Sequence, residues 1–184
     1  MKRESHRMLG VYLLEQITWE LSAWRRRAFL LGCIEPDRNP ATYLKGSLRA
    51  QWLRGHNYEN AKHFMLRISR RLERKQHWSL LDYYTAGKLI HYTMDAFTYA
   101  HNASFPTDLR EHKKYEDALQ EYFLTFLRNR SVMERRPGPN VMDTISRHHR
   151  DYLSRTPDIF RDARYAFSVS CCVAGMLACR PAAV

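Results

Sequence analysis

Five potential metal ligands lie within residues 91–116 of the chain. They follow the pattern H-x3-D-x5-H-x10-H-x3-E, which comprises His91, Asp95, His101, His112 and Glu116. Residues at i and i+4 share one face of an α-helix, so each of the two i,i+4 pairs points toward one place. Imidazole nitrogens and carboxylate oxygens are the ligands with which hydrolases hold zinc. The pattern therefore predicts a site for more than one metal ion and favours a metal-dependent hydrolase.

Ligands of these types suit the hydrolysis of a phosphodiester. Neutral imidazoles and carboxylates bind zinc and leave an open coordination position, where the pKa of a bound water falls to about 7. Two cations about 3.5–4 Å apart can also hold the non-bridging oxygens of a phosphate, and a third can help the leaving oxygen depart.

The elements that must position these ligands are predicted to be helices from end to end. The chain has only 7 Gly and 7 Pro, and the prolines gather at junctions. Leu9, Leu13, Ile17 and Leu21 form an apolar stripe that predicts a first helix over residues 4–31. His6 extends the stripe, where the alternative to a metal ligand is a core histidine bonded to a carbonyl group.

Capping residues mark the later helix starts. Ser79-x-x-Asp82 and Asp108-x-x-Glu111 resemble capping boxes, and the helices that they begin carry the two i,i+4 pairs. Two further helices are predicted over residues 140–154 and 158–179. Together with the first helix and a helix in the segment before residue 75, the predicted helices form an all-α, single-domain bundle over residues 1–184. The bundle has five to seven helices, and the ligands converge on one cleft.

The segment between the first helix and residue 75 holds two further candidates. A helix is predicted to start near Gly55 and His56 and to run to about residue 75. Before it, Pro36 and Pro40 bracket Asp37, and a residue that precedes proline avoids the helical region. Asp37 is therefore expected in a loop, where a turn-forming aspartate is the alternative to a catalytic one.

Charge and cysteine content restrict the partners and the compartment. The 30 Lys and Arg against 19 Asp and Glu give a net charge of +11, which favours phosphodiesters, nucleic acid or an anionic membrane surface. Four cysteines are too few for a disulfide framework, and a thiol metal site is disfavoured because three of them lie in the last apolar segment. The N-terminus lacks the pattern of a secretory signal, and the longest apolar stretch, residues 167–179, is too short to span a bilayer. We expect a cytoplasmic protein with no transmembrane segment.

The motifs together resemble the zinc-dependent phospholipase C family. The resemblance covers residues 4–125 and rests on Asp37, the Gly55-His56 helix start, and the spaced series from His91 to Glu116. Single-strand-specific zinc nucleases share the helical fold and the ligand order of this family. The resemblance implies two or three zinc ions, although the same ligands accept manganese, iron or nickel.

The resemblance also implies a role for each candidate. Two ligand sets follow, His56, His91 and Asp95 for one zinc, and His101, His112 and Glu116 for a second. Asp95 would bridge to a third zinc bound by His6, and Asp37 would lie beside the first zinc as a ligand or as the base that orients the attacking water. His63 is the alternative to His56, and it is expected either to support the ligands from behind or to lie at the surface. His77, His148 and His149 are expected to be exposed.

Two features of this chain lead to specific expectations. Secreted family members bind the third zinc through the amine and carbonyl of a processed N-terminal tryptophan, whereas this chain begins with Met1, five positions before His6. Our hypothesis is that Met1 supplies the amine. The second feature is the segment from Asp95 to His101, which contains no proline or glycine. Six residues is off one helical face, so His101 joins the site only if the helix opens or ends there.

The leading interpretation is a zinc-dependent phosphodiester hydrolase of the phospholipase C type, acting on phospholipid headgroup esters or on a soluble diester. A nuclease that cleaves single strands with the same metal cluster is the first alternative, which the charge of +11 favours. The second is a non-catalytic protein that keeps a structural metal and binds an anionic partner. The presence of Asp37 disfavours that alternative, because a purely structural site has no use for an extra carboxylate.

Overall fold

The residues that the structure describes contain seven α-helices and one short 3-10 helix. The computed structural model describes residues 1–16, 21–38, 58–102, 105, 108–129 and 136–179. The helices are α1 (Arg3–Gln16), α2 (Ala23–Arg38), α3 (Tyr58–Arg74), α4 (Leu80–Ala96), α5 (Leu109–Arg128), α6 (Val141–Leu153) and α7 (Ile159–Ala178), with the 3-10 helix (Tyr99–His101) between α4 and α5. These ranges contain no strand, so the predicted all-α class is confirmed. No helix within them is both long and apolar enough to cross a membrane. His56 lies outside the described residues.

The fourth helix forms the centre of the bundle. Every residue of α4 from Thr85 to Ala96 is buried, and a helix that is buried on all sides must be surrounded by others. It packs against α1, α2, α3 and α7. The metal-ligand candidates His91 and Asp95 therefore lie in the interior, in its last two turns.

Two glycines bring α2 unusually close to α4. A Cβ atom added at Gly32 would lie 2.0 Å from the carbonyl oxygen of Tyr84, and one added at Gly87 would lie 2.1 Å from that of Phe29. Only a residue without a side chain permits such an approach of two backbones. The contact holds the middle of α2 against α4 just before the turns that carry the ligands.

The prediction of one helix over residues 4–31 is wrong, because the chain reverses between α1 and α2. The two helices pack antiparallel: a Cβ atom at Gly10 would lie 3.1 Å from Sγ of Cys33, and Nε2 of His6 lies 4.0 Å from Oδ2 of Asp37. A single helix of that length would extend about 40 Å and could not cover its own apolar stripe. Two shorter helices bury their apolar faces against each other and against α4.

The expectation that Asp37 lies in a loop is also wrong, since α2 continues to Arg38 with Pro36 inside it. A proline removes one backbone hydrogen bond from a helix. The loss is confined here to the last turn, which other contacts hold in place. Pro36 is buried, and Oε2 of Glu35 forms an ion pair of 2.8 Å with Nζ of Lys88 on α4.

Most of the predicted helix starts are confirmed by their capping contacts. Ser79 and Asp82 form the reciprocal capping box at the start of α4. Asp108 caps α5 by accepting a hydrogen bond of 2.8 Å from the backbone nitrogen of Arg110. Asn140 and Asp158 cap α6 and α7 in the same way. The caps of Ser79 and Asp108 place α4 and α5, which carry the two i,i+4 pairs, where the sequence predicted them.

Candidate metal centre

Three buried side chains from two helices form the first group of potential ligands. His91 and Asp95 extend from adjacent turns of α4, with 3.2 Å between Nε2 and Oδ2. His6 comes from α1: its ring stacks on that of His91 at 3.8 Å, and its Nε2 lies 3.2 Å from Oδ1 of Asp95. One ligand atom from each residue lies within 4.8 Å of the others. The three residues can therefore hold a single ion.

Asp37 lies beside this group on a more open side. Its Oδ1 is 3.6 Å from Nε2 of His91, and its Oδ2 is 4.0 Å from Nε2 of His6. The side chain keeps 18% exposure, whereas those of His6 and His91 have none. The end of α2 thus brings Asp37 to the edge of the buried group, although Asp37 is not in a loop.

His91 is oriented in the way that zinc ligands commonly are. Its Nδ1 lies 2.9 Å from the carbonyl oxygen of Cys33 on α2. A hydrogen bond from Nδ1 to a carbonyl fixes the ring and leaves Nε2 with its lone pair to bind a metal. Nε2 points toward Asp95 and Asp37. Two imidazoles and one or two carboxylates are a donor set that zinc accepts, so the residues fit the metal.

The second group lies nearer the surface and joins α5 to the end of α4. Nε2 of His101 is 3.1 Å from Oε1 of Glu116, and Nε2 of His112 is 3.6 Å from the same oxygen. All three side chains are partly exposed, and their ligand atoms also lie within 4.8 Å of one another. The i,i+4 pair on α5 and the histidine after α4 therefore meet, as the resemblance implied.

The amino group of Met1 lies between the two groups. It is 2.8 Å from Oδ1 of Asp95, 3.0 Å from Oε1 of Glu116 and 2.6 Å from Nε2 of His101. The carbonyl oxygen of Met1 lies 3.2 Å from Nε2 of His6. The N-terminal amine and carbonyl both reach the ligand candidates, which is the arrangement that the hypothesis on Met1 requires.

Burial and charge set the pKa values in this region. Burial and the neighbouring His91 lower the pKa of His6 to about 4. Burial also disfavours protonation of His91, but the carboxylate of Asp95 outweighs it and raises that pKa. Burial alone would raise the pKa of Asp95, yet the charges of His101 and of the Met1 amine hold it well below its usual range. A neutral His6 beside an ionised Asp95 is ready to bind a cation.

The end of α4 explains how His101 reaches the site. The helix stops at Ala96, and the 3-10 helix then presents His101 beside Glu116. The side-chain amide of Asn102 donates hydrogen bonds to the carbonyl oxygens of Ala96 (3.1 Å) and Thr98 (2.9 Å). These bonds satisfy backbone acceptors that a continued helix would have paired. The expected break is present although no proline or glycine produces it.

His149 supports the same turn and was not predicted to do so. The sequence placed His148 and His149 on the surface, but His149 is only 4% exposed and its Nε2 lies 2.8 Å from Oδ1 of Asn102. One sequence signal could have predicted the burial of His149: Val141 and Ile145, at helical spacing before it, place residue 149 on the buried stripe of α6. His148 is half-buried beside a backbone carbonyl.

Comparison with known proteins gives a family match that covers most of the chain. The family model described as zinc dependent phospholipase C matches residues 11–159 of the chain. The comparison with curated proteins gave no significant match, and neither did the comparison with solved structures.

Proposed function

The chain belongs to the zinc-dependent phospholipase C family, and from that premise we propose that it hydrolyses phosphodiesters at a cluster of two or three zinc ions. The observation that carries the proposal is the convergence of two ligand groups, His6, His91 and Asp95, and His101, His112 and Glu116, joined by the amine of Met1. Zinc held there would act as a Lewis acid and make hydroxide available near neutral pH.

Asp37 is the proposed catalytic carboxylate. It is the more exposed neighbour of the buried group, with oxygens 3.6 Å from His91 and 4.0 Å from His6. A carboxylate at the open edge can accept the proton of the attacking water or complete the coordination of the ion beside it. Asp95 lies deeper, 3.2 Å from both His6 and His91, where it would complete the ligand set of the same ion.

Met1 is proposed as a further ligand through its amine and carbonyl oxygen. The amine lies within 3.0 Å of Asp95 and Glu116, and the carbonyl oxygen lies 3.2 Å from His6. A short Gly-Ser extension before Met1 would move the amine out of reach and leave the side-chain ligands in place. We expect the extended chain to bind one zinc fewer than the unextended chain, and an unchanged zinc content would refute this role.

Metal content and activity together test the proposed function. Zinc per chain is measured by mass spectrometry, and hydrolysis of bis-p-nitrophenyl phosphate is followed before and after chelation. Asp95→Asn removes the negative charge of a carboxylate that lies beside His6 in the first group and His101 in the second. Asp143→Asn is the matched control, because Asp143 is an exposed residue at the start of α6. We expect two or three zinc ions and activity that chelation and Asp95→Asn abolish. A stable, inactive wild-type chain without metal would overturn the proposal.

The outer face of α3 favours a second candidate, a nuclease that acts on single strands with the same metals. His63, Arg67, Arg70 and Arg74 are exposed and follow one another at helical spacing. A stripe of guanidinium groups suits the phosphates of a nucleic acid, whose binding weakens steeply as salt rises. If the protein is a nuclease, its cleavage of a single-stranded oligonucleotide should fall when salt is added, and it should also fall in the double variant Arg70→Gln/Arg74→Gln. Hydrolysis of the small diester would change little.

A further inference from the structure

The position of His101 depends on contacts from outside its own segment. An α-helix turns about 100° per residue, so continuation of α4 to residue 101 would place His101 far from the face of Asp95. The sequence between them has no helix-breaking residue. The side-chain amide of Asn102 pairs the freed carbonyl groups locally, but a contact with a distant part of the chain is needed to hold the turn against α5.

Asp162, in the first turns of α7, makes such a contact with both segments that carry the second ligand group. Its Oδ2 accepts a hydrogen bond of 2.7 Å from the backbone nitrogen of Tyr99, two residues before His101. The same oxygen accepts a hydrogen bond of 2.7 Å from the hydroxyl of Tyr115, which precedes Glu116 on α5. One buried oxygen thus ties the 3-10 helix to α5.

The third hydrogen bond of the Asp162 carboxylate joins it to a helix outside the metal centre. Oδ1 accepts a hydrogen bond of 2.7 Å from the hydroxyl of Tyr152 on α6, which carries none of the ligand candidates. Asp162 is not needed to cap its own helix, because Asp158 does so by accepting from the backbone nitrogen of Phe160. A buried carboxylate is costly unless donors satisfy it. Here the donors come from three other elements and none from α7.

We propose that Asp162 is a positioning residue that holds His101 and Glu116 in register with each other, and so sets the zinc affinity of the group formed by His101, His112 and Glu116. The inference rests on the proposed function, since it assumes that this group binds zinc. Partners that orient metal ligands typically change metal affinity by about 10- to 100-fold when they are removed.

Three variants separate this role from a general effect on stability. Asp162→Ala removes all three acceptor contacts. Asp162→Asn keeps an amide oxygen for Tyr99 and Tyr115, while its NH2 group can donate to the hydroxyl of Tyr152. Tyr152→Phe is the matched control, because it removes a hydrogen bond from the same carboxylate but leaves both ligand segments attached.

The measurement is zinc binding to each full-length variant, by competition with a chromophoric chelator, together with the absorption spectrum of the cobalt-substituted protein. We expect Asp162→Ala to weaken one zinc site by about 10- to 100-fold and to leave the other unchanged. Asp162→Asn should restore most of the affinity, and Tyr152→Phe should retain it fully even where its melting temperature falls.

The results that would overturn the inference differ from those that would overturn the proposed function. Unchanged zinc affinity in Asp162→Ala, or an equal loss in Tyr152→Phe, would show that Asp162 serves the fold alone. A wild-type chain that binds no zinc would instead refute the proposed function. Should Asp162→Ala not fold, Tyr115→Phe removes one of the two contacts at Oδ2 and must weaken the same site for the inference to stand.

Discussion

The close contact between α2 and α4 leads to a prediction that connects packing to the metal centre. Replacement of Gly32 by alanine places a Cβ atom 2.0 Å from the carbonyl oxygen of Tyr84, whereas ordinary contacts begin at 3.4 Å. The three atoms nearest to the added Cβ all belong to the backbone of α4, so no side chain can rotate away. The helices must separate by about 1.4 Å, the difference between the two distances.

The loss of stability in Gly32→Ala can be worked out from the hydrogen bond that this separation breaks. Nδ1 of His91 is 2.9 Å from the carbonyl oxygen of Cys33, the residue after Gly32. A shift of about 1.4 Å exceeds the reach of this hydrogen bond. Leaving a buried donor unpaired costs about 1–3 kcal/mol, and overpacking adds about 1–3 kcal/mol. Alanine regains about 1 kcal/mol through its helix propensity. We therefore expect Gly32→Ala to lower the free energy of unfolding by about 1–5 kcal/mol.

Gly175 provides the matched control, since it also lies in a helix but has no atom within 4 Å of an added Cβ. Gly175→Ala should raise the free energy of unfolding by about 0.5–1 kcal/mol. Urea denaturation of the metal-free proteins measures both changes, and zinc competition shows whether Gly32→Ala also weakens the site of His91. If both substitutions stabilise the protein equally, the backbone contact between α2 and α4 is not as close as described.

Two further predictions concern the central helix and its support. Ser79→Ala removes the N-cap of α4 and should lower the free energy of unfolding by about 1 kcal/mol in urea denaturation, with zinc stoichiometry unchanged. Burial lowers the pKa of His149 from 6.5 to about 4, so the unfolded chain takes up a proton before the folded one does. Stability from this residue is therefore complete above pH 6.5 and is lost toward pH 4, by about 3 kcal/mol in total. Melting temperatures of metal-free wild type and His149→Gln should converge as the pH falls; a constant difference would contradict the buried, neutral state.

Local sequence patterns sufficed for the parts of the site that lie within one helix. The pair His91 and Asp95 and the pair His112 and Glu116 each follow from the i,i+4 rule, which needs only that the segment be helical. Capping residues fixed where those helices begin, as the box of Ser79 shows. The ligand candidates of α4 and α5 could therefore be found from the sequence, and the structure brings each pair together.

The parts of the fold and of the site that depend on contacts between distant residues could not be predicted from local sequence patterns. The reversal between α1 and α2 has no turn signal, and it occurs because both helices bury their apolar faces on α4. The same packing carries Asp37 into a helix despite Pro36. His149 was misassigned because its charged neighbours suggested solvent, whereas its partner, Asn102, lies 47 residues away in the chain. In each case the deciding contact joins elements that no short pattern relates.

The distribution of charge around Met1 shows why these long-range contacts matter for the chemistry. Asp95 and Glu116 belong to different helices, and two neighbouring carboxylates repel each other strongly when they are removed from water. The partners that the structure describes for them are the cationic Met1 amine and several histidines, of which His6 is neutral. A site in which the amine of Met1 supplies much of the positive charge opposite two carboxylates gains further stabilisation from divalent cations. Binding of zinc should accordingly release protons from these groups, and proton release that rises with zinc occupancy, measured in weakly buffered solution, would distinguish a metal centre from a purely structural ion-pair network.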